Sequence, residues 1–60
     1  TNFLIVECTH GVFEIQSRET GETVGSMTRM HTGEYVVTSQ DVQCVTNTWD
    51  DAVAFAEKFI

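Results

Sequence analysis

The chain has 60 residues, enough for one small domain with a thin hydrophobic core. Its composition, 42% apolar and 20% charged with four Gly and no Pro, is typical of a folded domain and not of a disordered tail. Nine acidic residues against three basic ones give a formal net charge of -6 at pH 7. Because this charge repels phosphate backbones and anionic lipid headgroups, we expect neither nucleic acid nor a membrane as a direct partner.

The apolar runs and the cysteines bear on the cellular compartment. The longest apolar run, "FLIV" at residues 3–6, is too short for a signal-peptide core or a membrane span. The two cysteines, Cys8 and Cys44, are too few for a disulfide framework and do not form a Cys-x-x-Cys pair. Since the sequence does not call for an oxidising compartment, we expect a cytoplasmic protein.

The first segment, "FLIVEC" at residues 3–8, is rich in strand-forming residues and predicts a β-strand. Side chains alternate along a strand, so Leu4, Val6 and Cys8 share one face, which we assign to the core. The "THG" that follows predicts a turn. This segment and the next one therefore form a predicted hairpin.

The second segment, "VFEIQS" at residues 12–17, alternates as a half-buried antiparallel strand does. Phe13 and Ile15 point to the predicted core, and Glu14 points the other way. After the polar turn "RETGET" comes a less apolar strand, "TVGSMTRM", in which Gly25 indicates a bulge or a close approach.

Two further strands, "YVVTS" and "VQCVT", follow the turns "HTGE" and "SQD". In the last strand Val42 and Cys44 alternate with Gln43, so we assign the first two to the core side. The stretches "HGVFEIQS" and "TGEYVVTS" align without gaps, Gly11 with Gly33. Two hairpins that obey the same rules independently explain this match better than a duplication does, and we build no function on it.

The last segment, "NTWDDAVAFAEKFI" at residues 47–60, has its apolar residues on one side of a helical wheel and its charged residues on the other. Thr48 is the predicted N-cap, followed by acidic residues at the positive end of the helix dipole. A sheet on its own exposes an apolar face, and this helix is the element able to cover it.

These elements predict one α+β domain over residues 1–60, with a small antiparallel sheet of four to five strands and one C-terminal α-helix packed on one face. The predicted core consists of Leu4, Val6, Phe13, Ile15, Val42, Trp49, Ala52, Val53, Phe55, Ala56 and Phe59.

The chemistry-bearing residues do not predict a catalytic or metal site. Cys8, His10, His31 and Cys44 are zinc-ligand types, but structural zinc sites use closely paired ligands, so we expect no metal and no cofactor. A Cys8–Cys44 disulfide would need adjoining strands, and a reducing cytoplasm argues against it. The sequence shows no nucleophile elbow and no phosphate-binding glycine loop, and we predict that the protein is not an enzyme.

By elimination, the sequence predicts a small acidic protein-binding module. Among chains of this size, a phage or mobile-element protein that binds and modulates a host protein is a reasonable hypothesis. We expect the partner on the helix-free side of the sheet and its adjoining turns, through Glu14, Glu19, Glu22, Arg29, Glu34 and Tyr35.

Two alternative functions remain open at this point. One is a structural homo-oligomer, in which an exposed strand edge or part of the helix completes a core in a second copy, so that a homodimer forms. The other is an acidic decoy whose carboxylates occupy a nucleic-acid-binding protein.

Overall fold

The computed structural model describes residues 2–60, and the first residue of the predicted domain, Thr1, lies outside that range. Five strands are followed by one helix: β1 (Phe3–Thr9), β2 (Val12–Ser17), β3 (Thr23–Arg29), β4 (Tyr35–Ser39), β5 (Gln43–Thr46) and α1 (Trp49–Phe59). The strands lie side by side in chain order, and every neighbouring pair is antiparallel. Since α1 packs against β4 and β5, the predicted α+β fold is confirmed, with five strands.

Short turns produce this meander. Gly11 ends the β1–β2 turn with φ 79° and Gly33 lies in the β3–β4 turn with φ 97°, a backbone region that glycine adopts without a steric penalty. The backbone N–H of Arg29 donates to the carbonyl of Gly11 at 2.7 Å, which extends the β2–β3 ladder to the β1–β2 turn. The chain therefore reverses direction between successive strands, and each strand pairs with the one before it.

The core lies between α1 and the three central strands. Ile15 of β2, Met27 of β3 and Val37 of β4 are fully buried, and Met27 and Val37 are direct cross-strand partners. Ala52 and Ala56 of α1 are also fully buried. Because alanine is small, the helix backbone can approach the sheet closely at these two positions.

The predicted orientation of β1 was wrong. Leu4 and Val6 share a face as predicted, but it is the face away from α1, where they are 43% and 38% exposed. Ile5 pairs with the buried Ile15 and packs against the core, and Phe3 is buried. In "FLIV" both alternating sets are apolar, so the sequence identified the strand but not which side of it faces the helix.

The helix buries a narrower stripe than the wheel predicted. Ala52 and Ala56 are buried as expected, whereas Trp49 is 37% exposed and Phe59 is 48% exposed. Where the two alanines bring the helix close to the sheet, larger side chains fit only on its flanks. The other predicted core residues Val42, Val53 and Phe55 are accordingly half-buried, as is Phe13.

Both flanks of the helix carry aromatic contacts. The Trp49 ring lies edge-on to the rings of Phe13 and Tyr35, with centroids 5.2 Å and 5.7 Å away. Further along the helix, the rings of Phe55 and Phe59 lie 4.6 Å apart. The exposed aromatic residues of α1 therefore extend the core sideways, and they contribute to packing without being enclosed by it.

The helix begins where the sequence predicted. The Thr48 hydroxyl accepts a hydrogen bond from the backbone N–H of Asp51 at 3.1 Å, as an N-cap does. Asp50 and Asp51 lie in the first turn and Lys58 in the last, which matches the helix dipole. Within residues 2–60 no helix has the length and apolarity needed to span a bilayer.

Candidate functional site

The sheet face opposite α1, which we call the open face, is covered by no element of residues 2–60. Alternation from the buried core positions assigns its members, because direct cross-strand partners point to the same side. The strand residues of the open face are Leu4, Val6, Cys8, Thr9, Val12, Glu14, Gln16, Thr23, Ser26, Thr28, Val36, Thr38, Gln43 and Val45.

The register divides the open face into two neighbouring rows that cross the strands. Direct partners form a valine row, which consists of Val12, Thr28, Val36 and Val45 on β2 to β5. Two residues further along each strand lies a polar row, which consists of Glu14, Ser26, Thr38 and Gln43. The Gln43 side chain donates to the Thr38 hydroxyl at 3.3 Å within the polar row. The open face is therefore amphipathic across the sheet.

The polar row begins at the carboxylate of Glu14. The Cys8 thiol donates to one carboxylate oxygen with an Sγ–Oε2 distance of 2.8 Å, and the Thr23 hydroxyl donates to the other at 2.6 Å. Cys8 is on β1 and Thr23 is on β3, so Glu14 on β2 links three strands. These two donors fix the carboxylate at one position on the open face.

The same contacts shift the pKa of both titratable groups. Hydrogen bonds from Cys8, Thr23 and Gln16 lower the pKa of Glu14 because they favour its ionised form. The hydrogen bond to Glu14, with smaller contributions from desolvation and from the carboxylate charge, raises the pKa of the Cys8 thiol. At neutral pH the open face therefore carries an ionised carboxylate beside a protonated thiol.

Of the residues predicted to contact a partner, only Glu14 is a strand residue of the open face. Glu19 and Glu22 lie in the β2–β3 turn, and Glu34 lies in the β3–β4 turn at the opposite end of the sheet. Arg29 and Tyr35 were predicted on the helix-free side, and that placement was wrong, because they are direct partners on the helix side of the sheet. There Tyr35 packs edge-on against Trp49.

The valine row was not predicted as a site. In "YVVTS" both Val36 and Val37 are apolar, and only the register shows that Val37 is enclosed while Val36 lies on the open face. Val12 at the start of β2 is 39% exposed, and Val45 near the end of β5 is 57% exposed. The alternation of the last strand, with Val42 assigned to the core side, was the one signal that pointed Val45 towards the open face.

Comparisons with protein-family models, with curated proteins and with solved structures found no match to this chain. A proposal for the function of this chain therefore rests on the geometry of the open face.

The residues considered for metal binding do not form a ligand group. Within residues 2–60 there is no group of three or more His, Cys, Asp or Glu side chains that could hold a metal ion. His10 and His31 line a shallow depression of about 580 Å³ between the β1–β2 and β3–β4 turns, together with Arg29 and Tyr35. This depression is open to solvent, and its lining lacks a thiol and a carboxylate.

The two cysteines cannot pair within the chain. Cys8 lies on β1 and Cys44 on β5, which are the two edge strands of the sheet. Four strand spacings of about 4.8 Å separate them, roughly 19 Å, whereas a disulfide joins Cα atoms about 5.5 Å apart. Both are free thiols, and the intramolecular disulfide is excluded.

Proposed function

We propose that this chain is a non-catalytic protein-binding module and that its open face binds an amphipathic segment of a partner protein. The valine row carries the proposal. It presents valines from β2, β4 and β5, with Thr28 of β3 between them, on a face that the chain's own helix leaves uncovered. Covering this row would remove apolar surface from water, which is the general driving force for protein association.

The size of the face is consistent with such a partner. Five strands spaced about 4.8 Å apart give a surface roughly 20 Å across. The area that a partner can bury on a surface of this width lies at the lower end of the range for specific protein interfaces. A single segment of a partner, lying across the strands, can contact the valine row with its apolar side and the polar row with its other side.

Self-association through this face is disfavoured by charge. Two open faces that met would bring two Glu14 carboxylates into one interface, and each copy carries a net charge of -6. Like charges in a desolvated interface are unfavourable. A different protein therefore fits the open face better than a second copy does.

The distribution of the acidic residues supports the acidic decoy less well than it supports a binding module. Glu19, Glu22 and Asp41 lie in turns at one end of the sheet, Glu34 lies at the other end, and Asp50 and Asp51 lie on the helix. Electrostatic capture of a nucleic-acid-binding protein requires carboxylates gathered along one surface. These residues are spread around the molecule and do not form such a surface.

Paired capture experiments test the proposal. A bacterial lysate is the first choice, since a phage or mobile-element origin and a cytoplasmic host partner remain our hypothesis. Wild-type protein is compared with Val45→Lys and Val12→Lys on the open face, and with Ala54→Lys on the exposed side of α1 as the matched control. All four proteins are first checked for folding by circular dichroism.

The expected result is one protein that wild type and Ala54→Lys retain through a high-salt wash and that both open-face variants lose. Equal retention by all four proteins would contradict binding at the open face. A partner that high salt removes from wild type would instead favour the acidic decoy, because ion pairs between exposed groups are screened by salt.

A further inference from the structure

Glu14 is the one charged side chain among the strand residues of the open face, and it lies next to the valine row. Both of its carboxylate oxygens accept hydrogen bonds from the chain, at 2.8 Å from Cys8 and at 2.6 Å from Thr23. A partner that covers the valine row must also cover this carboxylate, or leave water trapped beside it. The chemistry of Glu14 therefore constrains the partner.

An ionised carboxylate that loses water without gaining a counter-charge is strongly unfavourable. Protonation could relieve this cost, but the thiol and hydroxyl donors stabilise the ionised form, and the pKa of Glu14 is lowered accordingly. The desolvation cost of the ionised Glu14 can instead be offset by a cation close to the carboxylate. Charge complementarity of this kind fixes register and partner choice in protein interfaces.

Within residues 2–60, no Lys or Arg is a strand residue of the open face. Arg29 lies on the helix side of the sheet, and the Lys58 ammonium lies on α1, 5.4 Å from the centre of the Phe59 ring. Arg18 lies beyond the end of β2, in the turn that leads to β3. The counter-charge for a covered Glu14 must therefore come from the bound partner.

We infer that the segment bound on the open face carries a single Arg or Lys side chain that pairs with Glu14, beside apolar residues that contact the valine row. This inference rests on the proposed function and specifies the chemistry of the partner. A single cation is expected because the neighbouring members of the polar row, Ser26 and Thr38, are neutral. A run of basic residues could pair with only one carboxylate among the strand residues of this face.

Selection from a displayed library of random 12-residue peptides tests the inference. The library is selected on wild type, on Glu14→Gln, on Val45→Lys and Val12→Lys, and on Glu57→Gln. The last variant makes the same charge change on the exposed part of α1. Selected peptides are then synthesised, and their dissociation constants are measured for every variant whose circular dichroism shows a folded protein.

We expect wild type and Glu57→Gln to select peptides with one Arg or Lys among apolar residues. Affinity for such a peptide should fall about tenfold or more on Glu14→Gln. Removing one member of a close ion pair in an interface weakens binding by at least this much. Replacing the basic residue of the peptide by Gln should cause the same loss on wild type. It should cause little further loss on Glu14→Gln, since the two groups act as a pair.

Two outcomes separate failure of this inference from failure of the proposed function. If peptides bind wild type and lose affinity on both valine-row variants but not on Glu14→Gln, the open face binds its partner without the predicted cation, and the inference is overturned alone. If selected peptides bind all variants equally, or if no peptide is selected on wild type, both the inference and the open-face function are overturned.

Discussion

Cys8 and Glu14 show how one hydrogen bond couples two titratable groups on neighbouring strands. The thiol donates to the carboxylate at 2.8 Å, which raises the pKa of Cys8 and lowers that of Glu14. The thiolate is the reactive form of cysteine, so an exposed thiol with a raised pKa reacts slowly. Cys8 is therefore less reactive than its exposure alone would suggest.

Glu14→Gln should increase the rate at which Cys8 is alkylated by iodoacetamide at pH 8. The substitution removes the charge and weakens the hydrogen bond that disfavour the thiolate. Mass spectrometry of each cysteine peptide over time gives the rate, and half-buried Cys44 provides the internal reference. An unchanged ratio of the Cys8 rate to the Cys44 rate would show that Glu14 does not control this thiol.

Glu14 should also contribute to the pH dependence of stability. Its pKa is lower in the folded protein than in the unfolded chain, so its contribution is fully present above the unfolded value of about 4.3 and is lost as pH falls through the folded value. Urea unfolding of wild type and Glu14→Gln between pH 6 and pH 3 measures this. As pH falls through the acidic part of this range, the unfolding free energy of wild type should decrease relative to that of Glu14→Gln. A constant difference would contradict the assigned shift.

Gly25 occupies a position on β3 with no room for a side chain. A Cβ atom there would lie 2.8 Å from the backbone carbonyl oxygen of Thr38 and 2.9 Å from the Ile60 Cδ1 atom. Ile60 can rotate away, but the backbone of the adjacent strand cannot move without distorting the sheet. The sequence-based expectation of a close approach at Gly25 is confirmed.

Gly25→Ala should lower the free energy of unfolding by about 1–3 kcal/mol, the usual cost of inserting a methyl group into a packed site. Urea denaturation measures the loss, with Ser26→Ala on the same strand as the control. If both variants unfold at the same urea concentration as wild type, the sheet relaxes around the new methyl group and the packing described here is looser than the distances indicate.

At the scale of the elements, α1 and the sheet divide the apolar residues into two classes. Ala52 and Ala56 of α1 and Met27 and Val37 of the sheet belong to one core cluster, and all four are fully buried. The valine row lies on the opposite side of the sheet, which no element of residues 2–60 covers. Adjacent residues of one strand therefore differ in what they contribute to stability.

Val36 and Val37 allow this difference to be measured at neighbouring positions of β4. Val37→Ala should lower the free energy of unfolding by about 2 kcal/mol, because it removes two buried carbon atoms and leaves a cavity. Val36→Ala on the open face should cost less than half as much. Urea denaturation of both variants gives the comparison, and equal losses would mean that the open face is covered in the free protein.

In the molecule as a whole, the meander of residues 2–60 leaves one sheet face uncovered and makes β1 and β5 the edge strands. The edges differ: β1 has seven residues and β5 has four. An irregularity in the pairing between Glu7 and Thr9 ends the regular part of β1, which shortens the edge available for another strand. The open face is the larger surface, and its charge governs how copies of the protein meet.

We expect the protein to be a monomer of 6.7 kDa in solution. Two open faces in contact would enclose two Glu14 carboxylates without a cation, and the net charge of -6 adds long-range repulsion between copies. Size-exclusion chromatography with light scattering at low and high salt measures the mass. A stable dimer that Val45→Lys dissociates would assign the open face to self-association and favour the homo-oligomer.

Local patterns along the sequence predicted the elements and the fold class correctly. Period-two alternation marked β2, the Thr48 cap and the apolar stripe marked α1, and polar turns, three of them with a glycine, separated the strands, because these signals depend on neighbours along the chain. Ile15, Ala52 and Ala56 were assigned to the core for the same reason, and all three are fully buried.

The face of each strand that meets the helix becomes clear only in the folded structure. In "FLIV" and "YVV" both alternating sets are apolar, so local pattern could not show that Leu4, Val6 and Val36 lie on the open face. The valine row and the contacts of Glu14 exist only once the register of neighbouring strands is fixed. Register depends on pairing between residues distant in the chain and on the single face that one helix can cover, and neither is encoded in any one segment.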